Sequence, residues 1–168
     1  MQFERVGQRY ATFFALVVFF LLCALFYFFY FRYEEASYLP NRDVVAVDEV
    51  LTLKVSADGH FRVSGTINGQ SVLFMLDTGA SGVALSDGLA RRLGLQMKGS
   101  QLTSTANGTV DARLSNVDTL AFGGWTFSQV PVFVLPEMDD AEVLLGMRIL
   151  RHFLWNQADG VLHLRYAS

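Results

Sequence analysis

Cysteine is almost missing from these 168 residues: Cys23 is the single one, and none follows it. Residues 43–168 therefore cannot form a disulfide or support thiol chemistry, which suits any compartment and selects none. Metal-binding patterns are missing as well. His60, His152 and His163 have no ligand spacing, and no His-Glu-x-x-His occurs, so no structural zinc site and no other metal or cofactor is expected. These histidines read as surface or strand-edge residues, and Trp125 and Trp155 as core or interface aromatics. Basic clusters are absent too. Residues 43–168 carry nine Lys and Arg against thirteen Asp and Glu, 9 − 13 = −4, so no nucleic-acid partner is expected. A serine-hydrolase elbow needs Gly-x-Ser-x-Gly, and Gly79-Ala80-Ser81-Gly82-Val83 has the wrong spacing. No internal repeat is present, and the length leaves no room for a large multidomain enzyme.

What the chain does have is unevenly placed. Hydrophobic residues make up 52% and the mean hydropathy is +0.32. Nine of the 15 phenylalanines fall in residues 1–33. Residues 11–31 contain no charge, and a helix of that length at about 1.5 Å per residue spans about 30 Å, the thickness of a bilayer core. Arg9 and Arg32 bracket it, with Tyr10 at one end and Tyr27, Tyr30 and Tyr33 at the other, as interfacial aromatics do. A buried core helix would show a polar face, and this run is apolar all round. A cleaved signal peptide would show small residues at a cleavage site, whereas this run ends in Tyr-Phe-Phe-Tyr-Phe-Arg-Tyr. The reading is an uncleaved single-pass anchor in the inner (cell) membrane. Residues 1–10 form a cytoplasmic tail, residues 32–42 a polar linker, and residues 43–168 one periplasmic or extracytoplasmic domain.

That domain reads as mostly strand. Residues 44–55 alternate loosely, Asp58-Gly59 turns, and residues 60–67 alternate well through Phe61, Val63 and Ile67. Asn68-Gly69 is a strong hairpin signal, with residues 71–76 as the return strand. Residues 86–93 read as a short helix, with Ser86 as cap, Leu89, Ala90 and Leu93 on one face, and Gly94 as the stop. Residues 102–114 form a polar, exposed hairpin around Asn107-Gly108; residues 117–122 and 125–135 form another around Gly123-Gly124. Residues 143–153 pass from strand to short helix with a break at Gly146, and Asp159-Gly160 leads into a last strand at 161–165. Arg91-Arg92 reads as a solvated pair and Asp139-Asp140 as part of an acidic loop. The expectation is an all-β fold, a small closed barrel with one or two short helices, preceded by one transmembrane helix.

The chemistry concentrates at Leu73-Phe74-Met75-Leu76-Asp77-Thr78-Gly79-Ala80-Ser81. An apolar strand delivers an aspartate into a turn of small residues, where a charge is costly without partners. The Thr78 hydroxyl can tie neighbouring backbones, Gly79 allows close approach, and Ser81 can orient the carboxylate. This run resembles the active-site motif of the aspartic proteases, in the retropepsin-like branch and its membrane-anchored, single-span bacterial members. The remainder of the domain resembles that family in order. Ala90-Arg91-Arg92-Leu93-Gly94-Leu95 is similar to the helix after the aspartate. Thr105-Ala106-Asn107-Gly108-Thr109 is similar to the tip of the substrate-covering flap. Val143-Leu144-Leu145-Gly146-Met147 is similar to the second apolar-apolar-Gly element, which packs beneath the catalytic loop in the family. Met147 and Arg148 stand where viral members usually carry Asp or Asn.

The resemblance implies an aspartic-type endopeptidase with Asp77 catalytic. Such chemistry needs two carboxylates about 3 Å apart sharing one proton. No second motif exists in this chain: Asp118-Thr119-Leu120 lacks the glycine, and Asp58-Gly59, Asp87-Gly88 and Asp159-Gly160 lack the apolar lead-in. The second aspartate is then Asp77 of another copy, in a two-fold homodimer whose anchors hold both copies in one bilayer. Apolar residues around Leu76, Val83 and Leu145 are expected near the cleft walls. The expected substrate is a membrane-proximal protein or peptide, the chain's own linker included. The competing reading is a non-catalytic, membrane-tethered peptide-binding or envelope scaffold module of the same fold.

Overall fold

The protein is described from a computed structural model covering residues 2–105 and 108–167. It divides into two compact units, Met1–Tyr38 and Leu39–Ser168. The first unit is helix α1, Gln2–Tyr38. Its stretch Phe13–Tyr33 is solvent-facing and is long and apolar enough, by length and composition, to cross a membrane. The helix continues through residues 32–38, where the sequence suggests a linker. Arg32, Glu34, Glu35 and Ala36 are all competent in a helix, and no proline occurs before Pro40.

The second unit begins by fastening itself down. Asn41 is buried, at 3% exposure. Its amide donates to the carbonyls of Lys54 and Arg62 at 2.7 and 2.8 Å, and its Oδ1 accepts the Lys54 N–H at 2.7 Å. Asn41 therefore belongs to the domain and not to a free linker.

The strands are β1 (Val50–Lys54), β2 (Phe61–Ile67), β3 (Gln70–Leu76), β4 (Val83–Ser86), β5 (Gly99–Thr105), β6 (Gly108–Phe122), β7 (Trp125–Leu135), β8 (Val143–Leu145), β9 (Phe153–Ala158) and β10 (Val161–Tyr166). Two short helices, α2 (Asp87–Arg92) and α3 (Met147–Leu150), follow β4 and β8. Strands β2-β3-β8-β4-β7-β6 form a ring that closes where β2 pairs with β6. Closure removes sheet edges from the barrel. β5 extends outward as a hairpin with β6, and β1-β10-β9 form a separate three-stranded sheet. The core runs through Phe74, Val83, Leu85, Val117, Leu120, Val132 and Leu145, each at most 1% exposed.

The fold is the expected small closed β-barrel, with differences that have local causes. Strand β1 starts at Val50 and not near residue 44, because Asp48 and Glu49 adopt φ of 50° and 66° and turn the chain. β6 runs unbroken through Ser115 and Asn116, which in sequence look like a gap between hairpins. Ser115 is buried there because its hydroxyl donates to the Gln96 carbonyl at 2.7 Å. β4 and β9 are strands that the sequence pattern does not announce; β4 is fully buried, so it lacks the alternation that marks a half-exposed strand. Helix α2 forms as expected: the Ser86 hydroxyl accepts the Leu89 N–H at 2.9 Å, and Gly94 leaves the helix with φ +66°.

One buried ion group supports β2. Arg62 is 3% exposed; it forks onto Asp58 with two 2.7 Å bonds and donates Nε to Glu142 at 2.6 Å. Glu142 immediately precedes β8, so Arg62 links the barrel strand β2 to the segment entering β8. The Arg62 guanidinium holds the Asp58 carboxyl well below the usual carboxylate range.

Candidate active site

Strand β3 lies between β2 and β8, with Phe74 buried and Phe74, Met75 and Leu76 paired in parallel to Val143, Leu144 and Leu145. The chain leaves the sheet at Asp77. Its N–H still donates to the Leu145 carbonyl at 3.2 Å, and its own carbonyl accepts the Ala80 N–H at 3.3 Å. Asp77 Oδ1 accepts the Gly79 N–H at 2.8 Å. The carboxylate is therefore oriented by a backbone amide two residues on, an Asx-type turn. Ser81, expected to orient it, is exposed, and its carbonyl accepts the Arg148 N–H at 3.1 Å. Asp77 is half-buried, and Thr78 and Gly79 are exposed.

The β8–α3 junction lies directly against this turn. The Met147 N–H donates to the Ala80 carbonyl at 2.8 Å. Gly146 has no room for a side chain: a Cβ there would lie 2.2 Å from the Gly82 carbonyl and 2.5 Å from that of Ala80. Both neighbours are backbone, so neither can swing away. Glycine at 146 is what allows two loops to share hydrogen bonds at this distance.

Asp77 opens onto a cleft of about 800 Å³. Gly79, Ala80 and Gly82 line its floor, with Ala84, Leu144, Phe133, Leu135 and Met138 along the sides. The residues expected at the walls differ. Val83 and Leu145 are completely buried and Leu76 is half-buried, whereas their neighbours Ala84 and Leu144 face the cleft. Alternation along a strand sends successive side chains to opposite faces, and the choice of face is made by the barrel. Thr103 and Val110, paired across the β5–β6 hairpin, also line the cleft. Of the expected flap tip, Thr105 pairs with Gly108, and Gly108 and Thr109 are exposed. Ala106 and Asn107 lie outside the described residues. Among the described residues, no group of His, Cys, Asp and Glu side chains is arranged to hold a metal ion.

An aspartate presented on a glycine turn into a cleft under a hairpin, within a six-stranded closed barrel, defines a retropepsin-like aspartic protease fold. A family model described as "gag-polyprotein putative aspartyl protease" matches residues 63–152, more than half of the chain, and the chain belongs to that family. It is similar to the crystal structure of a retropepsin-like aspartic protease from Rickettsia conorii, with 28% identity and a TM-score of 0.57. That match covers 70% of this chain and 90% of the other. Among curated proteins it is 33% identical over 111 residues to an uncharacterized protein of Rickettsia prowazekii, covering 64% of this chain and 46% of that one. It is 27% identical over 122 residues to an uncharacterized protein from the cobV 5′ region of Sinorhizobium sp., covering 68% of this chain and 52% of that one. The chain thus spans about half the length of the curated relatives it matches.

Proposed function

We propose that the protein is a membrane-anchored aspartic endopeptidase whose active site is completed by a second copy of the chain. The observation that carries this reading is the Asp77 carboxylate, hydrogen-bonded by Gly79 at the floor of an 800 Å³ cleft. One carboxylate is half of the required machinery. In the homodimer, Asp77 and its two-fold mate sit about 3 Å apart and share one proton. The ionised member takes a proton from a water, which attacks the scissile carbonyl. The protonated member donates to the carbonyl oxygen. The tetrahedral diol then collapses: one of its hydroxyls returns a proton to the newly ionised member, the other member gives its proton to the leaving nitrogen, the C–N bond breaks, and no covalent enzyme intermediate forms. Thr78 and Gly79 are exposed beside Asp77, which leaves the mate an open approach.

Residues 11–31 act as the anchor, residues 1–10 stay in the cytoplasm, and the domain works outside the inner membrane. The substrate is an extended segment of a membrane-proximal envelope protein, because a tethered cleft meets such segments at high effective concentration. Apolar walls at Phe133, Leu135 and Met138 suit apolar side chains next to the cleaved bond.

The test uses the full chain in detergent micelles with a peptide library. Asp77→Asn keeps the shape and removes the charge, and cleavage falls by at least about 10³-fold. Wild-type cleavage is greatest at acidic to mildly acidic pH, where a carboxylate pair holds one proton. Undiminished cleavage by Asp77→Asn would overturn the catalytic reading. Peptide binding without cleavage by the wild-type chain would favour a scaffold module. Cross-linking that finds only monomers in an active preparation would overturn the shared site.

A further inference from the structure

Helix α2 contributes no residue to the cleft, yet charged contacts join it to both sides of the cleft. On one side, Asp87 in its first turn pairs with Arg113 of β6 and with Arg91 one turn along, the latter at 3.0 Å. Arg113 lies opposite Ser100 in the β5–β6 hairpin, three residues beyond Val110, which lines the cleft. On the other side is the loop 136–142 between β7 and β8. Asp140 in that loop accepts a short hydrogen bond from the Ser86 hydroxyl. Asp140 also receives Arg92 Nη1 on its carboxylate at 2.7 Å and Arg92 Nη2 on its carbonyl at 3.3 Å. The start of the same loop, Pro136, Glu137 and Met138, lines the cleft.

Two details mark the Asp140 contact as built. Ser86 is 1% exposed, and its hydroxyl also caps α2 through the Leu89 N–H. One oxygen therefore accepts from the helix and donates to the loop. Gly88 leaves the space that Asp140 occupies: a Cβ there would lie 2.1 Å from the Asp140 carboxylate. None of these contacts touches the turn that holds Asp77, which is fixed by backbone hydrogen bonds to β8 and α3.

We propose that α2 is a brace between the flap hairpin and the 136–142 wall, and that Asp87 and Asp140 are positioning residues which set the width of the substrate cleft. The prediction is a defect in substrate binding without a defect in the chemical step. The Ser86 hydroxyl and the Arg92 guanidinium hold the Asp140 carboxyl below its ordinary value. Both contacts favour the charged form of Asp140, the form that pairs with Arg92. The kinetic part of this inference rests on the proteolytic reading; the structural part does not.

The experiment compares wild type, Asp140→Ala, Asp140→Asn, Asp87→Asn and the Asp87→Asn/Asp140→Ala double variant, as full chains in detergent micelles. Amide hydrogen exchange is read over residues 99–114, 136–142 and 74–80, and KM and kcat are read on a cleaved peptide. Asp140→Ala speeds exchange in 136–142 by about tenfold and leaves 74–80 unchanged. It raises KM by about tenfold with kcat within about threefold. Asp140→Asn, which keeps a hydrogen-bond acceptor for Ser86, falls between wild type and Asp140→Ala. Asp87→Asn speeds exchange in 99–114, and the double variant shows both effects. Unchanged exchange in both walls, or a loss in kcat at constant KM, overturns the brace. If the wild-type chain cleaves no peptide, the proteolytic reading fails on that result alone, and the exchange data still decide whether α2 holds the walls.

Discussion

The turn that presents Asp77 and the walls around it are held by different kinds of contact. The turn hangs on main-chain hydrogen bonds, Asp77 to Leu145, Met147 to Ala80 and Arg148 to Ser81, and on the close approach that Gly146 permits. Most side chains there could change without removing one of these bonds. The walls are strand-paired within the sheet, but what ties them to α2 is side-chain charge, Asp87 with Arg113 and Asp140 with Arg92. Those pairs are partly exposed, and exposed pairs are individually weak. Under the proposed function, the difference separates what must be invariant in position, the carboxylate, from what can be tuned, the width of the cleft. It also indicates where a substitution abolishes function and where it shifts preference.

Apart from Asp77→Asn, the most damaging change is Gly146→Ala, which strikes the backbone side of this contrast. Its Cβ meets two carbonyl oxygens that cannot move independently. Stability falls by about 3 kcal/mol, cleavage is lost, and exchange accelerates at residues 77–82. Denaturant unfolding and hydrogen exchange on the same sample check this. A fully stable, active Gly146→Ala protein would remove the backbone half of the comparison.

Asp58→Asn comes next. It removes the charge from the Arg62 fork, while the new amide oxygen can still accept the His60 N–H that Asp58 Oδ1 now takes at 3.2 Å. Arg62 is left buried with Glu142 as its remaining carboxylate among the contacts described. The cost is about 2 kcal/mol at neutral pH. Because the folded-state pKa of Asp58 is depressed, this contribution is fully present above the ordinary carboxylate value of about 4. It is lost as pH falls further, through the lowered folded value. Melting temperatures of wild type and variant should therefore run parallel from neutral pH down to about 5 and converge below about 4. Convergence already at about pH 6 would contradict the assignment.

The smallest effect is Arg91→Ala. Its pair with Asp87 is on the helix surface, with Arg91 74% exposed, and the loss is at most about 0.5 kcal/mol. Thermal unfolding measures it. A larger loss would mean that Arg91 shares the brace with Arg113.

The motif, its hairpin, helix α2 and the strand-to-helix passage at Gly146 are readable in the sequence, because each is a local signal. Asp77 follows four apolar residues, Asn68-Gly69 is a two-residue turn, Ser86 is a cap and Gly94 a stop. The wall residues are less readable. Val83 or Ala84, and Leu145 or Leu144, are equally good candidates until the ring of strands decides which face is inside. Arg92 and Asp140 are 48 residues apart, so each alone looks like part of a solvated pair or an acidic loop. Arg62 on a strand carries no sign of burial, since its partners come from a turn and from the lead-in to β8.

An apolar N-terminal helix, a β-rich domain and one aspartate on a glycine turn are all written in the chain itself. Each follows from composition or from neighbours within a few residues, where backbone preference and hydrophobic period act. Which side chains face the cleft, which charges pair across the chain, and why residue 146 must be glycine come from folding alone. Those are matters of distance between segments far apart in sequence, set when the barrel closes.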